Sequence, residues 1–264
     1  MKGVGMFPHQ AETLERVSAH FSADPTVAAL LLGGSIAHGF HSEQSDVDIM
    51  IVVSDDDHRE RLGTPRACFF SRELCTYEGG YVDGKYISEG FLREVAARGS
   101  EPARYAFQDA RVVFSRSASL GPLLAQIPRY PVEEKAARIR RFQGQVEAWL
   151  WYCGEALKRQ NLPLLRTAVA KLTLFGGRLV LAHNEMLYPY LKWFLRVLAT
   201  APEQPPGLVA RIEELAAEPN RERIDSFGKL IKEFKGWEMT AWGAQFLQDS
   251  ELSWFYSSAP VDDI

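Results

Sequence analysis

Gly33 to Val53, GGSIAHGFHSEQSDVDIMIVV, is the stretch around which this chain is organised. It begins with Gly33-Gly34-Ser35, directly after the apolar run Val27 to Leu32, and ends in a second apolar run, Ile49 to Val53. Asp46 and Asp48 stand one residue apart at the head of that second run. Alternate residues of a strand project from one face, so the two carboxylates are expected side by side. Like charges so placed repel, and a divalent cation is the usual reason to keep them together. The glycine-serine turn offers backbone N–H groups and a hydroxyl where a helix can begin, which suits phosphate. A phosphate cradle beside paired carboxylates points to metal-dependent chemistry on a nucleotide.

The rest of the chain sets bounds. Its 264 residues hold one large domain or two ordinary ones, and 46 % apolar with 24 % charged residues is the composition of a chain with a real core. A net charge of −4 advertises no basic face for nucleic acid. Cys68, Cys75 and Cys153 form no CxxC pair and suggest free thiols in a reducing compartment. The start, MKGVGMFPHQ, has no apolar core of a secretory signal, and Leu162 to His183 is interrupted by Arg166, Lys171 and Arg178. No stretch approaches the ~18 uninterrupted apolar residues of a membrane span, so a cytoplasmic protein is expected.

In chain order, Pro8 to Phe21 reads as a helix, Val27 to Leu32 as a strand, Ile36 to Phe40 as a short helix and Val47 to Val53 as a strand. Asp55-Asp56-Asp57 reads as a solvated turn or helix cap rather than a metal site. Ala67 to Phe70 and Thr76 to Ile87 read as strands, Ser88 to Arg98 as a helix capped by Ser88, and a helix from Pro102 precedes a strand at Arg111 to Phe114. Past Ile127-Pro128 strand signals give way to helical ones: Val132 to Arg159, Leu164 to Ala182 with a bend at Gly176-Gly177, Tyr188 to Ala199, Leu208 to Ala217, and Arg221 to Leu247 with weak points at Gly228 and Gly236. Two domains are expected, residues 1–128 and 129–264.

In the frame Gly34-Ser35-x-x-x-Gly39-x5-Ser45-Asp46-x-Asp48, the turn and the acids resemble the nucleotidyltransferase superfamily with a DNA polymerase β-like palm. The resemblance covers roughly residues 27 to 90. It implies an α+β protein, a palm of mixed sheet flanked by helices followed by an all-α helical bundle. It also implies that Gly34 and Ser35 hold the β- and γ-phosphates of a nucleoside triphosphate, and that Asp46 and Asp48 ligate two Mg²⁺ ions. Ser45 belongs to the same motif, and His38 falls where related proteins often carry a basic residue near the triphosphate. Members usually add a third carboxylate from a later strand. Asp83 is preferred, ahead of Glu78, Glu89, Glu73 and Asp109, because Gly80-Tyr-Val-Asp-Gly-Lys-Tyr-Ile87 is strand-like and puts Tyr81 and Lys85 on its face. Asp-Gly is equally the strongest two-residue hairpin signal, so a turn at Asp83-Gly84 competes. Lys85 reads either as a phosphate neutraliser or as a solvated lysine, and His38 and His41 do not make a Mg²⁺ pair, since that ion prefers oxygen.

In the helical half, His183 to Trp193 is dense in aromatic and hydrogen-bonding residues and is similar to an Asn…Tyr-Pro-x-x-Lys-Trp stretch of some bacterial nucleotidyltransferases. That likeness implies nucleotide contacts from Lys171, Asn184, Tyr188 and Lys192; a helix junction with Tyr188 and Trp193 in the core is the competing reading. The expected activity is transfer of a nucleoside monophosphate, AMP from ATP, to a hydroxyl of a small-molecule acceptor, with pyrophosphate released (EC 2.7.7 class). Acceptors of aminoglycoside or lincosamide type, hence antibiotic resistance, fit the size and layout. The alternative is an antitoxin-like or protein-modifying (AMPylating) enzyme acting on a protein partner. Nucleic acid is disfavoured as a partner, no membrane association is expected, and a homodimer is compatible with the sequence.

Overall fold

The computed structural model describes residues 5–237, 241–256, 260–262 and 264, an α+β protein. Two compact units divide the chain: one comprises residues up to Gly99 together with Ala103–Arg129, the other Ser100–Pro102 together with Tyr130–Ile264.

The first unit runs α1 (Pro8–Ser22), β1 (Ala29–Leu32), α2 (Gly34–Ala37), β2 (Val47–Val53), α3 (Asp55–Arg61), β3 (Cys68–Ser71), β4 (Val82–Ser88) and α4 (Glu89–Arg98). It continues through α5 (Glu101–Tyr105), whose first residues belong to the other unit, to β5 (Arg111–Ser115) and α6 (Leu120–Leu124). The five strands form one mixed sheet in the order β3-β4-β2-β1-β5; β2 and β4 are parallel and every other pairing is antiparallel. All four residues of β1 are buried, as a central strand covered on both faces requires. Alternation along β2 feeds two cores. Met50 and Val52 join Leu31, Ile87, Leu92, Leu124 and Ile127 on one face. Ile49 and Ile51 join Val17, Phe21, Leu30, Leu32 and Val82 on the other.

The acid run Asp55-Asp56-Asp57 is the first turn of α3, where negative charge suits the helix dipole; Ser54 caps it by accepting from the Asp57 N–H at 3.1 Å. The strand expected from Thr76 is confined to Val82–Ser88. Residues 72–81 form instead a loop docked on α1: Thr76 donates to the His9 carbonyl at 2.9 Å and meets the Thr13 hydroxyl at 2.8 Å.

The second unit is helical: α7 (Lys135–Lys158), α8 (Leu162–His183), α9 (Phe194–Leu198), α10 (Leu208–Ala217), α11 (Arg221–Phe234), α12 (Trp242–Phe246) and α13 (Ser253–Tyr256). Helices α7 and α8 pack along one another. No break interrupts α8 at Gly176-Gly177, where the missing side chains make room for the rings of Phe227 and Phe194. The helix expected over Tyr188 to Ala199 starts late, as a 3₁₀ turn at Leu191–Trp193 followed by α9. Pro189 disfavours helical backbone at Tyr188, and the Tyr188 N–H is taken by Glu101 Oε2 at 2.8 Å. The helix expected over Arg221 to Leu247 stops at Phe234; Gly236 lies in the break, and residues 238–240 of that stretch lie outside the described residues.

The centre of this unit is ionic. Glu101, 2 % exposed in its side chain, bridges Arg138 at 2.6 Å and Arg178 at 3.1 Å. The Arg178 guanidinium lies over the rings of Phe142 and Tyr188 and donates to the carbonyls of Asp262 and Ile264. Among the described residues, no helix is long and apolar enough to cross a membrane.

Candidate active site

The glycine-serine turn and the first aspartates are built as one piece. The Gly33 N–H donates to the Asp48 carbonyl at 2.9 Å, which ties the turn to the head of β2. Gly34 takes φ +60°, and a Cβ placed there would meet Asp48 Oδ2 at 1.8 Å. Only glycine combines that backbone with that approach. Ser35 is buried in the single turn of α2, its carbonyl accepting from the Phe40 N–H at 2.8 Å.

Strand β4 brings the later carboxylate. Asp83 pairs in register with Asp48 across the parallel β2–β4 ladder, so their side chains rise from the same face. The Asp-Gly pair is not a hairpin turn: it lies inside β4, where a Cβ on Gly84 would stand 2.9 Å from the Ile49 carbonyl oxygen. Absence of that Cβ lets the two strands lie together. Asp83 is exposed, whereas Asp46 and Asp48 are half-buried. Lys85 follows on the same face. Crowding protein atoms pull its pKa below the ordinary lysine value while the Asp48 carboxylate pushes it back up, although the side chain stays open to solvent.

Two tyrosines join the acids, neither singled out by the motif. Hydrogen bonding to Asp46 and the negative charge of that carboxylate raise the pKa of the Tyr81 phenol. Burial pushes Tyr77 up to about 12, and its hydroxyl donates to the Ser45 carbonyl at 2.6 Å. Periodicity could place Tyr81 two residues before Asp83; the bond from Tyr77 to the loop before Asp46 spans 32 residues and has no local signal.

The remaining candidates have specific positions. Ser45 Oγ accepts from the Ser42 N–H at 2.9 Å, closing the loop that delivers Asp46. His38 is bound through Nδ1 to Asp109 at 2.9 Å and packs on Tyr105, so these two predicted residues serve one another. Glu89 accepts from Ser119 at 2.7 Å, and Glu73 and Glu78 lie exposed in the loop before β4. Both ring nitrogens of His41 are buried, with no hydrogen-bond partner among the described residues, beside the Phe7 ring.

Within the helical unit, Lys171 pairs with Asp262, and Asn184 fastens the end of α8 to the backbone of Glu203 at 2.7 and 2.9 Å. Tyr188 is 1 % exposed beneath Arg178, and Lys192 is exposed with its ammonium over the Trp193 ring. Each of these four makes its own contact within the helical unit.

The acid face suits a hard cation. Its donors are all carboxylate oxygens, and the cradle under Asp48 exists only because Gly34 has no side chain. Among the described residues, no three His, Cys, Asp or Glu side chains enclose a metal ion by themselves. Mg²⁺ does not require it, since it usually takes one or two carboxylates and fills other positions with water and substrate phosphate.

Residues 11–101 match the family model described as the nucleotidyltransferase domain. Among solved structures, a nucleotidyltransferase-like protein from Exiguobacterium sibiricum is similar at 13 % identity and a TM-score of 0.49, over 92 % of this chain and 77 % of that one. No curated protein matches the chain.

Proposed function

We propose that the protein, whose residues 11–101 match the nucleotidyltransferase-domain family model, moves a nucleoside monophosphate, AMP from ATP, onto a hydroxyl of a small-molecule acceptor. The observation that carries the reading is the in-register pair Asp48–Asp83 beside a Gly34-Ser35 turn too close to Asp48 for any side chain at residue 34. Asp46 and Asp48 would hold Mg²⁺, with Asp83 as the third carboxylate. When bound, the ions supply charge neutralisation on the triphosphate and activation of the acceptor oxygen. In this reading the Gly34-Ser35 turn binds the β- and γ-phosphates. Lys85, on the same face of β4 as Asp83, offsets phosphate charge. Asp83, exposed next to Asp48, takes the acceptor's proton as its oxygen bonds to the α-phosphorus and the bond to the bridging oxygen breaks, releasing pyrophosphate.

A thermal-shift titration tests this without knowledge of the acceptor. ATP with Mg²⁺ is expected to raise the melting temperature, ATP with EDTA to do so far less, and Asp48→Asn to abolish the difference. Equal shifts with and without Mg²⁺ contradict the reading.

A further inference from the structure

The loop that delivers Asp46 is gripped from behind by two side chains outside the acid motif. Gln10, on the first turns of α1, is completely buried. Its amide nitrogen donates to the Ser42 carbonyl at 2.8 Å and to the Ser45 carbonyl at 3.1 Å. Its amide oxygen accepts from the Phe7 N–H at 3.4 Å, so every hydrogen-bonding group of the side chain is engaged. The Ser45 carbonyl receives a second donor, the Tyr77 hydroxyl at 2.6 Å. That carbonyl belongs to the peptide entering Asp46. The peptide leaving Asp46 is held as well, because the Val47 N–H donates to the Tyr81 carbonyl at 3.1 Å.

Asp46 is therefore fixed at both neighbouring peptide planes, and little but its own side-chain rotation is left free. Tyr77 is itself anchored: the adjacent Thr76 bonds the Thr13 hydroxyl and the His9 carbonyl, both on α1. One helix end thus ties the loop before Asp46 to the loop before Asp83. Gln10 lies just outside the matched segment, which begins at residue 11.

We propose that Gln10 and Tyr77 are positioning residues that set Asp46 against Asp48 for cation binding. The proposal rests on the metal role assigned above to Asp46 and Asp48. Its physical basis is that two converging carboxylates repel one another, so a loop free to relax carries Asp46 away from the cation. Gln10→Leu keeps the buried bulk and removes both donors, and Tyr77→Phe removes one. Neither touches a carboxylate.

The test measures Mn²⁺ binding to the full-length protein by electron paramagnetic resonance, with a non-hydrolysable ATP analogue present. Gln10→Leu is expected to raise the Mn²⁺ concentration at half-saturation about tenfold, equivalent to ~1.4 kcal/mol, and Tyr77→Phe by a smaller factor. Val17→Ala, an equally buried site on α1 without a bond to either loop, is expected to lower the melting temperature and leave half-saturation unchanged. Unchanged half-saturation in both Gln10→Leu and Tyr77→Phe overturns the proposal. So does an equal rise in Val17→Ala, which marks a general loss of stability. Asp48→Asn separates the premise from the proposal: wild-type Mn²⁺ binding in that variant removes the metal assignment itself, and the positioning role with it.

Discussion

Gly34→Ala is the sharpest single perturbation of the candidate site, because two costs fall on one methyl group. The first is the backbone: at φ +60° an alanine pays the left-handed penalty of roughly 1–2 kcal/mol. The second is the collision with Asp48, whose Oδ2, Cγ and Cβ would lie 1.8, 2.3 and 2.6 Å from the new carbon. The carboxylate can swing aside, but the Asp48 Cβ is attached to β2, and its 2.6 Å falls about 0.9 Å short of a ~3.5 Å carbon–carbon contact. Turn and strand must therefore separate. Gly63 supplies the control, since it has φ +74° and nothing within 4 Å of a built Cβ. Gly63→Ala should lose only the backbone term, a fall of about 2–4 °C in melting temperature per kcal/mol. Gly34→Ala should fall further and lose about 10²-fold in pyrophosphate release, the scale expected for a ~1 Å misplacement of a catalytic group. Differential scanning calorimetry and a coupled pyrophosphate assay measure the two quantities. Equal melting temperatures for both variants, with wild-type turnover in Gly34→Ala, refute the packing of the turn on Asp48 as part of the site.

Two further predictions concern stability. Burial depresses the pKa of His58 below its ordinary 6.5, against the opposing charges of Asp55 and Asp57. The unfolded chain then takes up a proton near pH 6.5 that the folded protein refuses, so stability should decline as pH falls below about 6.5. His58→Gln should flatten that slope in urea titrations at pH 7.5, 6.5 and 5.5, whereas an unchanged slope assigns the decline to other groups. In the helical unit, Glu101→Gln leaves the buried Arg138 and Arg178 without their shared counter-charge and should cost ~3–5 kcal/mol. An unfolding midpoint within error of wild type contradicts that burial penalty.

Much of the fold is legible in local sequence, and what is not has identifiable physical causes. β2 was expected at Val47 to Val53 and occupies those residues, because an apolar run headed by acids has few other solutions. The Asp48–Asp83 pairing is not a local property. Asp-Gly carries a strong hairpin signal, which is overridden because Gly84 permits close strand contact at Ile49. Residues 76–81 read as the start of a strand by their tyrosines and threonine, yet Thr76 and Tyr77 direct their hydroxyls to α1 and to Ser45. Tyr188 illustrates the same limit in the helical unit. Its proline and aromatic neighbours suggest a helix start, but its N–H belongs to Glu101, 87 residues away in sequence. The link between His38 and Asp109 spans 71 residues and is equally invisible to spacing.

The proposed reaction is Mg²⁺-dependent nucleotidyl transfer at the acid face of β2 and β4. Pyrophosphate release from ATP, measured across a panel of hydroxyl-bearing acceptors for wild type, Asp48→Asn and Asp83→Asn, tests it most directly. Wild type should release pyrophosphate only with Mg²⁺, and both variants should keep the wild-type fold by circular dichroism while losing turnover by orders of magnitude. Wild-type turnover in folded Asp48→Asn contradicts the claim.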